Sequence, residues 1–259
     1  MIIKTYDGLR RKVGFFAERK IPLMVIEGVP GIGKTHNAAK ACAGQERVIL
    51  RAHATPAAII KRLYENRNCI IIIDDIDGFM SNPSVKSLMK MLCELEEEKT
   101  IYWDSTASVF AGMVTPFDGR WETIVCCNRM GSLDMDLQAV LNRGIVIRFE
   151  PSNAEILEEL QSWFADKEIL GEMRQWKNAA TRFDFRMALL AKCLKDAGDD
   201  WKQYLQEEME ISEKLVLMRE LQARECRCEM DRVKAWPGSR QDYYNWKKGY
   251  EEVTGWMSQ

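Results

Sequence analysis

Histidine is almost missing from this chain: His36 and His53 are the only two among 259 residues. They stand far apart, and no C-x-x-C pair accompanies them, which excludes a structural zinc site of the usual cysteine and histidine kinds. No apolar run approaches the roughly 20 residues that span a bilayer. The first positions alternate charge and hydrophobe rather than forming a leader, so the chain reads as cytoplasmic, with no membrane partner. Strong charge of either sign is lacking too. A net charge of −2 and a pI near 5.9 exclude a globally basic nucleic-acid coat but leave room for a local basic patch. The eight cysteines follow no regular framework. Cys69, Cys126 and Cys127 lie inside apolar segments and read as reduced core residues; only Cys226 and Cys228 form a close pair.

What is present points to a phosphate-binding loop. Gly28-Val-Pro30-Gly31-Ile32-Gly33-Lys34-Thr35 directly follows the apolar run Leu23-Met-Val-Ile26 and precedes a segment of helical character beginning with His36. The glycines let the backbone fold tightly enough to aim several N–H groups at a β-phosphate, and the first helical turn adds its positive dipole end. Lys34 supplies a mobile cation for the β- and γ-phosphates. The Thr35 hydroxyl supplies one ligand to Mg²⁺. Strand, loop and helix fall in the order this G-x-x-x-x-G-K-[ST] spacing demands, which separates it from a chance glycine-containing turn.

About 40 residues on, Cys69-Ile-Ile-Ile-Ile73-Asp74-Asp75 forms a second element of the same site. Four consecutive isoleucines make a strand buried on both faces, as in a parallel sheet, and two carboxylates emerge at its carboxyl end, where open α/β sheets bind ligands. Asp74 is placed to orient the Mg²⁺ shell and Asp75 to polarise an attacking water.

Strands and helices alternate through the first half. A short basic N-terminal helix around Phe15-Phe16 leads into the first strand; its Arg10-Arg11-Lys12 face either touches DNA or is merely solvated. After the loop come a helix over His36–Ala43, a strand over Arg47–Leu50 and a helix over Ala57–Asn66. Past the acidic strand, Asn82-Pro83 caps a helix, and Thr100–Trp103, Thr123–Cys126 and Ile145–Ile147 read as further strands. This pattern specifies an α/β fold with a parallel sheet between helices. Asp104 to Gly119 reads as a loop, a candidate substrate-facing element. A boundary falls near Pro151. Beyond it Ser152-x-x-Glu155 is a capping-box signature and the chain reads all-helical: one helix over Asp184–Lys195 closed by Gly198, a longer one from Trp201 to Met218, and a tail in which Tyr243, Trp246, Tyr250, Val253 and Met257 recur at helical steps. That stripe either packs on its own domain or docks a partner or nucleic acid.

Three further residues narrow the class. Asn128 ends the strand Thr123–Cys127 with a neutral amide able to hold water or the γ-phosphate. Arg143 stands in Leu141-Asn-Arg-Gly144 before the strand that contains Arg148. Arg186 stands in Phe183-Asp-Phe-Arg-Met187, with Arg182 as its rival one turn earlier.

This set of motifs, over about residues 20 to 197, resembles the AAA+ ATPases. In that family Gly28–Thr35 corresponds to Walker A, Ile70–Asp75 to Walker B, and Asn128 to sensor 1. Leu141–Phe149 is similar to the clamp-loader segment that donates an arginine to a neighbouring subunit, so Arg143 looks like an arginine finger, with Arg148 as the competing candidate. Arg186 looks like sensor 2. The resemblance implies a nucleotide-binding αβα domain over 1–150, a helical lid over 151–199 and a helical extension over 200–259. It further implies ATP and Mg²⁺ as cofactors, and ATP hydrolysis in a homo-oligomeric ring or spiral acting on DNA or on a protein client. Two departures stand out. Asp75 replaces the family's usual Glu, which points to slower hydrolysis or a nucleotide-dependent switch. His53–Pro56 also lacks the aromatic-hydrophobic loop of polypeptide translocases, although Phe79 follows the Walker B strand.

Overall fold

The computed structural model of the protein describes every residue except 52–53, 77–81, 104–109, 111, 134, 227 and 256–259. It contains two units, Met1–Pro151 and Ser152–Gln259. His53, Phe79, Met257 and most of the first half of the Asp104–Gly119 stretch lie outside the described residues.

The first unit runs β1 (Ile2–Ile3), α1 (Tyr6–Phe15), a π-helical turn (Phe16–Lys20), β2 (Leu23–Glu27), α2 (Lys34–Ala41), β3 (Arg47–Arg51), α3 (Pro56–Glu65) and β4 (Asn68–Asp74). It continues with α4 (Pro83–Leu92), β5 (Lys99–Ile101), β6 (Phe117–Cys127), a 3₁₀ turn (Met130–Ser132), α5 (Met135–Leu141) and β7 (Ile145–Phe149). The strands form one sheet in the order β1-β7-β2-β6-β4-β3, and β5 pairs with the outer part of β6. All pairs are parallel except β5 with β6.

Residue chemistry accounts for these elements. Thr55 and Asn82 cap α3 and α4 with their side chains, and a proline fills the first helical position of each, where its missing N–H costs nothing. The apolar strands are buried on both sides, as parallel sheets require. Val25, Ile71, Ile73 and Val125 pack into one core with Leu63, Leu88, Leu92, Leu137 and Leu141 from α3, α4 and α5. Met24, Ile26, Ile70 and Ile72 alternate with them and are equally buried, along with Leu9, Val13 and Ala38 of α1 and α2. The result is a three-layer α/β/α unit whose strand carboxyl ends open toward one edge.

The second unit is helical throughout: α6 (Asn153–Gln161), α7 (Lys167–Trp176), α8 (Phe185–Ala197), α9 (Trp201–Glu208), α10 (Glu213–Ala223), α11 (Glu229–Ala235) and α12 (Arg240–Thr254). Ser152, Asp166, Asp184, Asp200 and Ser239 accept backbone N–H bonds at their helix starts. Gly198 closes α8 at φ 77°, a conformation only glycine adopts without strain. Glu172 is its polar hub, accepting from Trp176 Nε1 at 2.8 Å, from Gln206 Nε2 at 3.1 Å and from Arg219.

Several sequence expectations need correction. The helix expected from Trp201 to Met218 is two helices, because Glu210 takes φ 56° and breaks the run between α9 and α10. The strand expected at Thr100–Trp103 stops at Ile101, and β6 begins at Phe117, inside the expected loop, because the two form a short antiparallel pair. The edge strand β1 gives only two residues of pattern to read. The α12 aromatics belong to their own unit: Tyr243 and Tyr250 are buried, and the Tyr243 hydroxyl donates to Glu229 at 2.6 Å. Among the described residues, no helix is long and apolar enough to cross a membrane.

Candidate nucleotide site

The turn between β2 and α2 is built around backbone close approach. A Cβ on Gly28 would meet the carbonyl oxygen of Phe149 at 2.6 Å, so only glycine lets β7 end against the loop. Gly31 and Gly33 take φ 81° and 76°, and Gly33 is the N-cap of α2 with no side chain to offer the first-turn N–H groups. Val29 and Pro30 are exposed, Ile32 is buried beneath them, and His36 lies on the exposed face of α2.

Two contacts missed in the sequence hold this loop from outside. The buried Tyr6 hydroxyl of α1 donates to the Ile32 carbonyl at 2.9 Å, and its ring meets Phe149 edge-on with centroids 5.1 Å apart. The fully buried Asn37 accepts from Arg10 Nη1 at 2.8 Å and donates to the Gly33 carbonyl at 3.0 Å. No sequence motif marks Tyr6 or Asn37; their role follows only once α1 is known to pack on α2.

The functional side chains converge at the carboxyl edge. Lys34 is only 8% exposed. Its Nζ donates to the carbonyls of Gly28 at 2.7 Å and Val29 at 2.9 Å, and to Asn128 Oδ1 at 3.2 Å. The P-loop cation and the amide ending β6 are therefore direct neighbours, as the register Glu27↔Cys127 requires. The Thr35 hydroxyl donates to Asp74 Oδ1 at 2.5 Å. That oxygen pair is the hard donor set that Mg²⁺ takes from a protein while retaining water and phosphate ligands. Cys126 lies against the same hydroxyl, and burial pushes its thiol up to about 12, so it stays a neutral small residue there. Asp75 follows on the exposed side at φ 57°, and among the described residues its carboxylate has no partner.

The arginines separate clearly. The register Met24↔Ile145 puts Arg143 level with Pro22, at the amino end of β2. Six residues separate that level from Gly28, or about 20 Å at the usual strand rise. Arg143 is exposed, and among the described residues its guanidinium has no partner. Arg148 lies at the opposite, carboxyl end of β7. Its side chain is 64% exposed and pairs with Glu27 Oε2 at 3.3 Å. In the second unit Arg182 pairs with Glu208 at 2.7 Å and Asp184 at 3.6 Å, whereas Arg186, in the first turn of α8, is exposed and its guanidinium has no partner among the described residues.

A wound parallel sheet with a glycine loop leading into a helix, and a lysine, a threonine and an aspartate meeting at its carboxyl edge, defines the P-loop class of α/β folds. Among solved structures the chain is similar to NtrX from Brucella abortus in complex with ATP, with TM-score 0.53, 14% identity, and 95% of this chain and 60% of that one covered. It is also similar to a mutant of Thermotoga maritima RuvB, with TM-score 0.50, 12% identity, and 99% and 91% of the two chains covered. A DNA replication initiation factor matches at TM-score 0.47 and 14% identity, with 83% of this chain covering 65% of that one. The fold is that of the AAA+ proteins. No family model and no curated protein matches the sequence.

Proposed function

We propose that the chain is an ATP-binding and ATP-hydrolysing AAA+ machine that works as a homo-oligomer, and that it loads or remodels a complex engaged in DNA replication or recombination. The observation that carries the nucleotide reading is the junction of Lys34 with Asn128 beside the Thr35–Asp74 pair. A lysine already desolvated and held by two loop carbonyls exchanges them for phosphate oxygens at little reorganisation cost, which favours charge developing there in the transition state. The N–H groups at the start of α2, uncapped by any side chain, take the remaining phosphate charge. Thr35 and Asp74 would hold Mg²⁺, which supplies charge neutralisation across the β- and γ-phosphates.

On this reading the exposed Asp75 carboxylate accepts a proton from water, and Asn128 orients that water without adding charge. Arg143 completes the charge cage of a neighbouring copy, a contribution worth about 10³ to 10⁵ in rate for arginine fingers. Its place at the far end of β2 supports action in trans, because no side chain crosses that distance within its own sheet. Arg186 is the second unit's candidate sensor, supported by a guanidinium with no partner among the described residues where Arg182 is engaged.

The test is ATP turnover by the purified chain over a range of protein concentrations, with and without single- and double-stranded DNA. Specific activity should rise with concentration and rise again with DNA. Concentration-dependent turnover that ignores DNA but responds to added protein would move the assignment to a protein remodeller. Tight binding with no turnover beyond a single slow event would make the chain a nucleotide-dependent scaffold.

A further inference from the structure

Glu27 is an acidic residue ending an otherwise apolar strand, one position before the phosphate loop. It is only 18% exposed, and its two oxygens face different ways. Oε1 accepts the backbone N–H of Met130 at 2.9 Å, and Oε2 faces Arg148 Nε at 3.3 Å on the neighbouring strand. Glu27 and Arg148 are register partners, so they sit side by side. Met130 lies two residues past Asn128 and opens the 3₁₀ turn over Met130–Ser132. The ladder between β2 and β6 ends at Cys127, so the chain carrying Asn128 has left the sheet by the time it reaches the carboxylate.

We infer that Glu27 is the positioning residue that fixes the Asn128 amide against Lys34, with Arg148 holding the carboxylate in the orientation that Met130 needs. This rests on the nucleotide reading above and deepens it. A charge-assisted bond to Met130 N–H is the strong kind, and it clamps the first stretch of chain after the sheet. The Glu27–Arg148 pair is largely solvated on the arginine side, and such pairs contribute little to stability. What the arrangement does supply is direction. Free rotation of the carboxylate would otherwise exchange its oxygens, whereas Arg148 commits Oε2 and leaves Oε1 for the loop. Misplacing a catalytic group by about 1 Å costs up to about 100-fold in rate.

Three variants of the full chain test this: Glu27→Ala, Glu27→Gln and Arg148→Met. Each is compared with wild type for kcat, for the affinity of a fluorescent ATP analogue, for melting temperature, and for hydrogen exchange at the Met130 amide. In Glu27→Ala, kcat should fall about 10- to 100-fold, nucleotide affinity should stay within about 2-fold, and the Met130 amide should exchange faster. Glu27→Gln keeps an acceptor for that N–H and should recover most of kcat and the amide protection. Arg148→Met should fall between the two. The inference is overturned if Glu27→Ala turns over like wild type, if its losses in affinity and melting temperature match its loss in kcat, or if Glu27→Gln is as impaired as Glu27→Ala. A wild-type chain that binds nucleotide but never hydrolyses it defeats the hydrolytic reading, and this inference with it; wild-type turnover with an indifferent Glu27→Ala defeats this inference alone.

Discussion

The backbone angle at Asp75 bears on which acid the site accepts. Its φ of 57° lies in the left-handed region, which Asp and Asn visit more readily than longer side chains. The resemblance to AAA+ proteins leads one to expect Glu here. At this angle Glu would be strained by roughly 1–2 kcal/mol, a cost of the kind the chain accepts at Glu210, φ 56°, between α9 and α10. Asp75→Glu should therefore melt lower than wild type, by about 2–4 °C per kcal/mol for a domain of this size, in a calorimetric scan. Asp75→Asn keeps the backbone preference but removes the proton acceptor. It should leave nucleotide affinity unchanged and lower kcat by about 10²- to 10⁴-fold, the range for loss of a general base. An Asp75→Asn variant with undiminished kcat would remove Asp75 from the mechanism.

At the scale of elements, the most telling junction joins α4, β5 and β6. Lys99 is 1% exposed, and its Nζ donates to the carbonyls of Leu92 at 2.6 Å and Trp121 at 2.7 Å, tying the end of α4 to the sheet. Burial pulls its pKa down to about 8 from a lysine's ordinary 10.5. Because the folded pKa lies below the unfolded one, the unfolded chain binds more protons between those values, and the Lys99 contribution to stability rises with pH across that window. Buried thiols act oppositely: Cys93 and Cys126 are pushed up to about 12 by burial, so folding loses ground as unfolded thiols ionise above pH 9. The lysine is isolated by difference. The unfolding free energy of wild type minus that of Lys99→Met should become more positive from pH 8 to pH 10.5 in urea titrations, since the buried thiols stay protonated in both folded proteins over that window. A constant gap would mean that the Lys99 pKa is the same in the folded and unfolded chains.

These elements also mark what the sequence could and could not disclose. Ile70–Ile73, the glycine loop and the Asn82-Pro83 cap are local signals, and each stands where it was expected. The α9–α10 break was hidden because Glu210 at φ 56° carries no residue-type signature. β1 and β5 were hidden or misplaced because their hydrogen-bond partners lie far along the chain, on β7 and β6. The site divides in the same way. Lys34, Thr35, Asp74 and Asn128 were legible as motif positions, while Tyr6 and Asn37 touch the glycine loop, and Glu27 the chain after β6, through contacts that only packing creates. Glu27 did leave one trace, a charge closing an apolar strand.

For the whole molecule, the decisive fact is that the phosphate loop and Arg143 stand at opposite ends of one strand level. If hydrolysis requires both, it requires two copies. Two variants separate the halves of that requirement. Lys34→Ala removes the charged donor from the phosphates and should weaken nucleotide affinity by about 10- to 100-fold or more, while leaving Arg143 intact. Arg143→Ala should bind nucleotide like wild type but lose about 10³-fold or more in turnover. Neither variant alone should turn over appreciably. Mixed in equal amounts, they create interfaces where an intact loop from one copy meets an intact arginine from the other, so activity should return to a sizeable fraction of wild type, read in a steady-state phosphate-release assay. Restoration cannot come from either parent, because no single chain in the mixture holds both groups. A mixture as inactive as its components, under conditions where both variants still assemble with wild type, would show that Arg143 does not serve a neighbour's nucleotide.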